Sequence, residues 1–163
     1  MLMFVPFPHD ARMTAPDPLS LYRARSCSRQ WLGFVRAMAA EFGAELPEDD
    51  LAPLMARIGR RFAREHRLAH CATLEEMQQA ANAVWERCDW GQCAMHEHAD
   101  HVRIQHASAP LGVALDGVAW SDGFLQGVYE GWFQQLGMLA GLAVQTAPGD
   151  SMDLRNFMLL RTA

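Results

Sequence analysis

From Leu19 onward the apolar residues Leu21, Cys27, Trp31, Phe34, Val35, Met38 and Phe42 return every three or four positions, the spacing of one helix face. The pattern predicts a first helix from Leu19 to about Gly43. Glu48-Asp49-Asp50 opens a second helix, with Pro53 tolerated in its first turn. Its expected core face is Leu54, Met55, Ile58 and Phe62, and its solvent face carries Arg57, Arg60, Arg61, Arg64 and Arg67. Thr73 and Glu76 form a capping box that starts a third helix through Leu74, Met77, Ala81, Val84 and Trp85.

The period then falls to two. Trp90 to His96 reads as a strand, Glu97 to Asp100 as a turn and His101 to His106 as a second strand, with Val102, Ile104 and His106 on one face. Ala107 to Gly117 reads as a loop. A fourth helix begins near Ser121-Asp122 and carries Phe124, Leu125, Val128, Tyr129, Trp132, Phe133 and Leu136. Its glycines Gly123, Gly127 and Gly131 fall on one stripe. Each interior glycine costs about 1 kcal/mol against alanine, so the row implies close approach of another backbone, within the fold or across an interface. Leu139 to Thr146 is expected as a strand, Pro148-Gly149-Asp150 as a turn and Leu154 to Arg161 as the last strand. The fold class is α+β: N-terminal helices, then an antiparallel sheet of two hairpins with a helix between them. Residues 1–17, rich in proline and without period, read as a flexible arm before one domain over 18–163.

Composition narrows the chemistry. The chain of 163 residues contains 14 arginines and no lysine, which removes Schiff-base and P-loop lysine chemistry. Its net charge of −5 argues against nucleic acid as a partner. That charge is uneven, with 10 Arg against 8 acids in residues 1–70 and 4 Arg against 11 acids in 71–163, a split that could favour self-association. No run reaches ~18 apolar residues, so no membrane insertion is expected. The opening Met1-Leu2-Met3-Phe4-Val5-Pro6-Phe7-Pro8 lacks a basic leader and is broken by two prolines. It makes a poor signal peptide, and the chain reads as cytoplasmic. Cys27, Cys71, Cys88 and Cys93 have neither CxxC spacing nor the density of a secreted scaffold, and read as free thiols.

The strongest chemical temptation is Cys88, Cys93, His96, His98, His101 and His106, since zinc and iron favour thiolate and imidazole. Cys93 and His96 point to opposite faces of one strand, which leaves His96, His98 and His101 at the turn as the weak metal candidates. Histidines on a solvated hairpin are the preferred reading, and no cofactor is expected. Glu75-Glu76 and Asp49-Asp50 sit at helix starts, where carboxylates favour the dipole, better than they serve acid–base catalysis. No nucleophile, base and orienting group stand together, so the chain reads as no enzyme. Tyr129 and Phe133 could line an interface or stack on pyranose rings.

Three blocks, in order, resemble the D-subunit family of bacterial cellulose synthase. They are Leu54-Met55-Ala56-Arg57-Ile58-Gly59-Arg60-Arg61-Phe62-Ala63; Trp90-Gly91 with Val102-Arg103-Ile104-Gln105-His106 and Pro110; and Trp120 to Gly137, reading WSDGFLQGVYEGWFQQLG. The resemblance covers roughly residues 50–161; the arm and first helix match the family poorly, and the His-rich hairpin is not a feature of it. It implies a non-catalytic accessory component that forms cylindrical octamers built from dimers, with passages for nascent glucan. Its expected partners are its own copies, the cellulose synthase complex, other accessory proteins of the operon and glucan chains. The family has been placed on either side of the inner membrane, which leaves the periplasm as the alternative. By this reading Gly123, Phe124, Gly127, Tyr129, Gly131, Trp132 and Phe133 form the motif helix or an oligomer interface, and no glucan-binding residue carries over.

A rival resemblance comes from Asp122-Gly123-Phe124-Leu125 with Gly127, then Pro148-Gly149-Asp150 and Phe157, which is similar to the vinyl-4-reductase-type domain that binds small hydrophobic molecules or metal. Residues 138–161 contain no Cys or His, whereas that family often places cysteines around its last hairpin.

Overall fold

The computed structural model describes Leu19, Tyr22 and residues 26–162 apart from Leu139 and the Asp150 side chain. The arm expected over 1–17 lies outside the described residues. Helix α1 spans Arg29–Glu45, α2 Glu48–Glu65 and α3 Leu74–Cys88; β1 spans Gln92–Glu97 and β2 Val102–Ala107. A short helix α4, Pro110–Ala114, and one 3-10 turn, Ala119–Ser121, lead into α5, Asp122–Gln135. Strands β3, Leu142–Ser151, and β4, Leu154–Arg161, close the chain.

The four strands form one antiparallel sheet in the order β1-β2-β4-β3. The two hairpins therefore meet through β2 and β4. Register aligns Met95, Ile104, Phe157 and Thr146 in one cross-strand row. Ile104 and Phe157 in that row are fully buried, and together with Trp85, Tyr129 and Trp132 they form the centre of the core. Pleating sends alternate residues to the helices, so the expected Ile104/His106 face is the inner one.

Local chemistry explains the boundaries. Thr73 Oγ1 accepts from Glu76 N–H at 3.1 Å, while Glu76 accepts from Ala72 N–H at 2.7 Å, so the box caps α3 as its sequence implies. Asp89, left-handed at φ 56°, ends that helix. From α3, Asn82 accepts from Cys93 N–H at 2.7 Å and donates to its carbonyl at 2.9 Å. Gln78 accepts from Met95 N–H at 2.6 Å. These side chains occupy backbone groups on the outer rim of β1 that no strand satisfies.

Four expectations change. The first helix does not run unbroken from Leu19: Leu19 and Tyr22 have helical backbone, but Ser26-Cys27-Ser28 interrupts, and α1 restarts with Trp31 and Leu32 N–H donating to Ser28 O. The loop over 107–117 contains α4, for which Pro110 supplies the first residue. Pro148-Gly149-Asp150 is no turn. Those residues continue β3 along the sheet edge through a bulge, where the missing proline N–H costs nothing, and the reversal is at Met152-Asp153. Finally, α2 buries Leu51, Met55, Ala56, Gly59 and Ala63, while Leu54 and Phe62 are half-buried and Ile58 is exposed. The face has turned toward its smaller residues because α5 lies so close.

Candidate functional site

The contact between α2 and α5 accounts for the glycine stripe. A Cβ built on Gly127 would overlap the carbonyl of Ala56, one on Gly123 that of Ala52, and one on Gly131 would lie 2.7 Å from Ala63 Cβ. Gly59 answers from α2, where an added Cβ would overlap Phe124 O. Small residues on both helices bring the backbones into van der Waals contact. Arg60–Glu130 at 3.1 Å and Gln135 donating to Ala63 O at 2.7 Å tie the pair further. Of the two readings of the stripe, the one within the fold holds, and the expected oligomer surface on Gly123, Gly127 and Gly131 is used inside the protomer.

Phe124, Tyr129 and Trp132 share that fate. Phe124 is buried between Phe62 and Trp90, at ring centroids of 5.6 and 4.9 Å. Trp132 is fully buried and donates its indole N–H to His66 O at 2.8 Å. Tyr129, which could have faced a sugar, is fully buried as well, while Phe133 is half-buried against the core.

What Tyr129 reaches instead is His106. Nδ1 of His106 lies 2.6 Å from the Tyr129 hydroxyl and Nε2 lies 2.7 Å from Trp90 O. A carbonyl can only accept, so Nε2 carries the proton and Nδ1 accepts from the tyrosine. Burial pushes the imidazole down to about 4 and raises the tyrosine well above its usual value. Beside them Cys93 is buried, and that burial lifts its thiol to about 11. His106, Tyr129 and Cys93 thus stand together inside the core, His106 and Tyr129 fully buried and Cys93 nearly so. The alternation of β2 placed His106 inward, but nothing in the sequence paired it with Tyr129.

The turn histidines are not gathered into a ligand set. His98 and His101 stack at 4.6 Å, His101 Nδ1 meets Asp100 at 2.7 Å, and His96 stands exposed on β1 opposite Arg103. The Asp100 carboxyl is lowered by its bond to His101. Among the described residues no three His, Cys, Asp or Glu side chains are grouped to hold a metal ion. Of the arginine row, Arg57, Arg61, Arg64 and Arg67 are exposed, Arg61 pairing with Glu65 one turn on, while Arg60 is half-buried against Glu130. Asp122, at the start of α5, grips Arg155 of β4 through both carboxylate oxygens, each side chain 17% exposed.

The most unusual surface is α1. It has no buried residue. Leu32, Val35, Ala39 and Phe42 are half-buried toward the body, yet Trp31 is 60%, Phe34 61% and Met38 39% exposed on another side. Trp31 and Phe34 contact each other edge to face at 6.2 Å. Arg36 anchors the helix by donating to Ala114 O at 2.9 Å. Beneath it an open, mainly apolar groove of about 360 Å³ is lined by Leu32, Val35, Cys88, Trp90, Leu111 and Ala114 among others. Among the described residues no helix is long and apolar enough to cross a membrane.

Comparison with solved structures finds the fold in a trafficking protein particle complex subunit 3 from Naegleria fowleri, covalently bound to palmitic acid. That similarity has a TM-score of 0.55 and 11% identity over 86% of this chain and 97% of that one. Among curated proteins none matches by sequence. The family model of the cellulose synthase D subunit matches residues 18–158, from before α1 into β4. With that match running through all five helices and into the last strand, the chain belongs to the D-subunit family of cellulose synthase.

Proposed function

We propose that this chain is a non-catalytic scaffold of cellulose synthesis, whose copies close into a ring that guides glucan chains and organises synthase complexes for crystallisation. Family membership supports the accessory role. The observation that carries the assembly is α1, apolar on the side away from the body as well as toward it, with Trp31 and Phe34 about 60% exposed. A helix that sets large apolar side chains on two sides needs cover on both, and the described residues of one copy cover only one. Pairing of copies would provide the other, and such pairs, joined through a further contact into a ring, make a rigid guide from modest pairwise affinity. The burial of His106, Tyr129 and Cys93 supports a geometric role over a chemical one. The ring acts in the cytoplasm beside the synthase, the periplasm being the alternative.

The test is light scattering on the purified chain. A multimer is expected at micromolar concentration. A Trp31→Asp, Phe34→Asp double variant should elute as a smaller species with unchanged circular dichroism, and a monomeric wild-type chain would overturn the reading. In cellulose-producing cells lacking the chain, the variant should fail to restore ordered ribbons.

A second reading, a host for a small hydrophobic guest of the kind vinyl-4-reductase-type domains bind, draws on the groove below α1 and on the lipid named for the structural neighbour. Native mass spectrometry revealing a bound apolar molecule that Val35→Trp displaces would favour it.

A further inference from the structure

We infer that the outer face of α1 pairs with the same face of a second copy, antiparallel across a two-fold axis near Ala37. The inference rests on the assembly reading above and names the contact that makes its pairs.

Helix geometry sets out the face. At ~100° per residue, Gly33, Ala37, Ala40 and Ala44 fall within an arc of about 60°, pointing away from the body, and all four are exposed. Trp31, Phe34 and Met38 form a bulky ridge beside them. The glycines give an independent sign. An added Cβ at Gly33 or Gly43 would meet nothing within 4 Å among the described residues, unlike the crowded glycines of α5. Two interior glycines cost about 1 kcal/mol each in helix propensity, and no described residue of the protomer comes close enough to require them. Close approach of a backbone from outside gives Gly33 a purpose.

Charge selects the occupant and its direction. Helix α1 has no acid in its first turn and no base in its last; Arg29 sits at the positive end of its dipole and Glu45 at the negative end. Each opposes its own helix. An antiparallel copy reverses this, since with Ala37 against Ala37 the Arg29 end of one helix lies beside the Glu41 and Glu45 end of the other. A two-fold also leaves both aromatic ridges on the same side of the seam, where they close over it. Area agrees. An aromatic side chain buries ~150–250 Å², so Trp31, Phe34 and Met38 at their present exposures offer roughly 300 Å² per copy, a sizeable part of the ~800 Å² per partner that stable interfaces use.

Disulfide trapping tests the contact, in a full-length background with Cys27, Cys71 and Cys88 changed to Ser. Ala37→Cys should oxidise to a covalent dimer with itself. Gln30→Cys and Ala44→Cys should each stay uncrosslinked alone yet join when co-expressed, because antiparallel register sets 30 against 44. Separately, Gly33→Leu should weaken assembly at least tenfold in the concentration of half-association while leaving the fold intact. Assembled particles in which Ala37→Cys never crosslinks would overturn the α1 pairing and leave the scaffold standing. Crosslinking of Gln30→Cys alone would make the pair parallel and overturn it too. A monomer at every concentration would overturn both.

Discussion

His106 should make the protein lose stability on mild acidification. In the unfolded chain the imidazole takes a proton near 6.5, whereas in the folded one burial holds it down to about 4. Between those values the unfolded state binds more protons than the native state. Stability is therefore full above pH 6.5, falls as the pH drops, and levels out below about 4. The slope is about 1.4 kcal/mol per pH unit and the whole loss about 3 kcal/mol. For a domain of this size that lowers the melting temperature by roughly 6–12 °C. No carboxylate offsets the effect: the groups around the ring are Tyr129, Trp90 O and Trp85, and the cross-strand neighbours are Cys93 and Arg155, whose charge is held by Asp122. The assay is thermal unfolding followed by circular dichroism at fixed protein concentration from pH 7.5 to 4.5. The companion is His106→Gln, which keeps an N–H for Trp90 O and cannot titrate. It should start about 1–3 kcal/mol less stable at pH 7, from the lost Tyr129 bond, and then run flatter with pH. Parallel curves for wild type and His106→Gln would refute the reasoning.

Other expectations follow from single contacts. Gly127→Ala, normally a helix-stabilising change, should destabilise by about 2 kcal/mol or more in urea titrations, because the new methyl overlaps Ala56 O and forces α2 from α5; equal or greater stability would contradict the close packing. Arg155→Ala should cost about 1–3 kcal/mol by breaking its pair with Asp122, read as a lower urea midpoint, and Asp122→Ala in addition should cost little more. At pH 8 Cys93, with its thiol near 11, should react with a disulfide reagent only once denaturant is added, which peptide mapping of the labelled sites would report.

The local signals in the sequence were strong where one residue type has one use. The Thr73–Glu76 box fixed the start of α3, the alternation through Ile104 and His106 fixed the inner face of the first hairpin, and Leu154 to Arg161 was the last strand. The glycine row correctly announced a close backbone, but periodicity carries no partner's address, and Ala52, Ala56 and Ala63 are unremarkable until α5 lies on them. The same contact explains why Ile58 was misplaced: at such short separation small side chains face inward and larger ones flank. Pro148-Gly149 suggested a turn because both residues favour one, yet an edge strand tolerates them equally. Tyr129 was the costliest ambiguity. An aromatic with a hydroxyl suits a sugar or a buried hydrogen bond, and only the position of His106 decides.

Asn82 and Gln78 have a consequence for how this sheet meets its surroundings. By occupying both backbone groups of Cys93 and the N–H of Met95 they cover the middle of the β1 border, which leaves the β3 side as the more open one. There Gln126 already takes the carbonyl of Val144, and a bulge with Pro148 breaks the ladder. A sheet open on both borders can recruit neighbours without limit and grow into fibrils. With one border covered at its middle and the other interrupted, this sheet offers a stray strand little to extend, which works against filament growth.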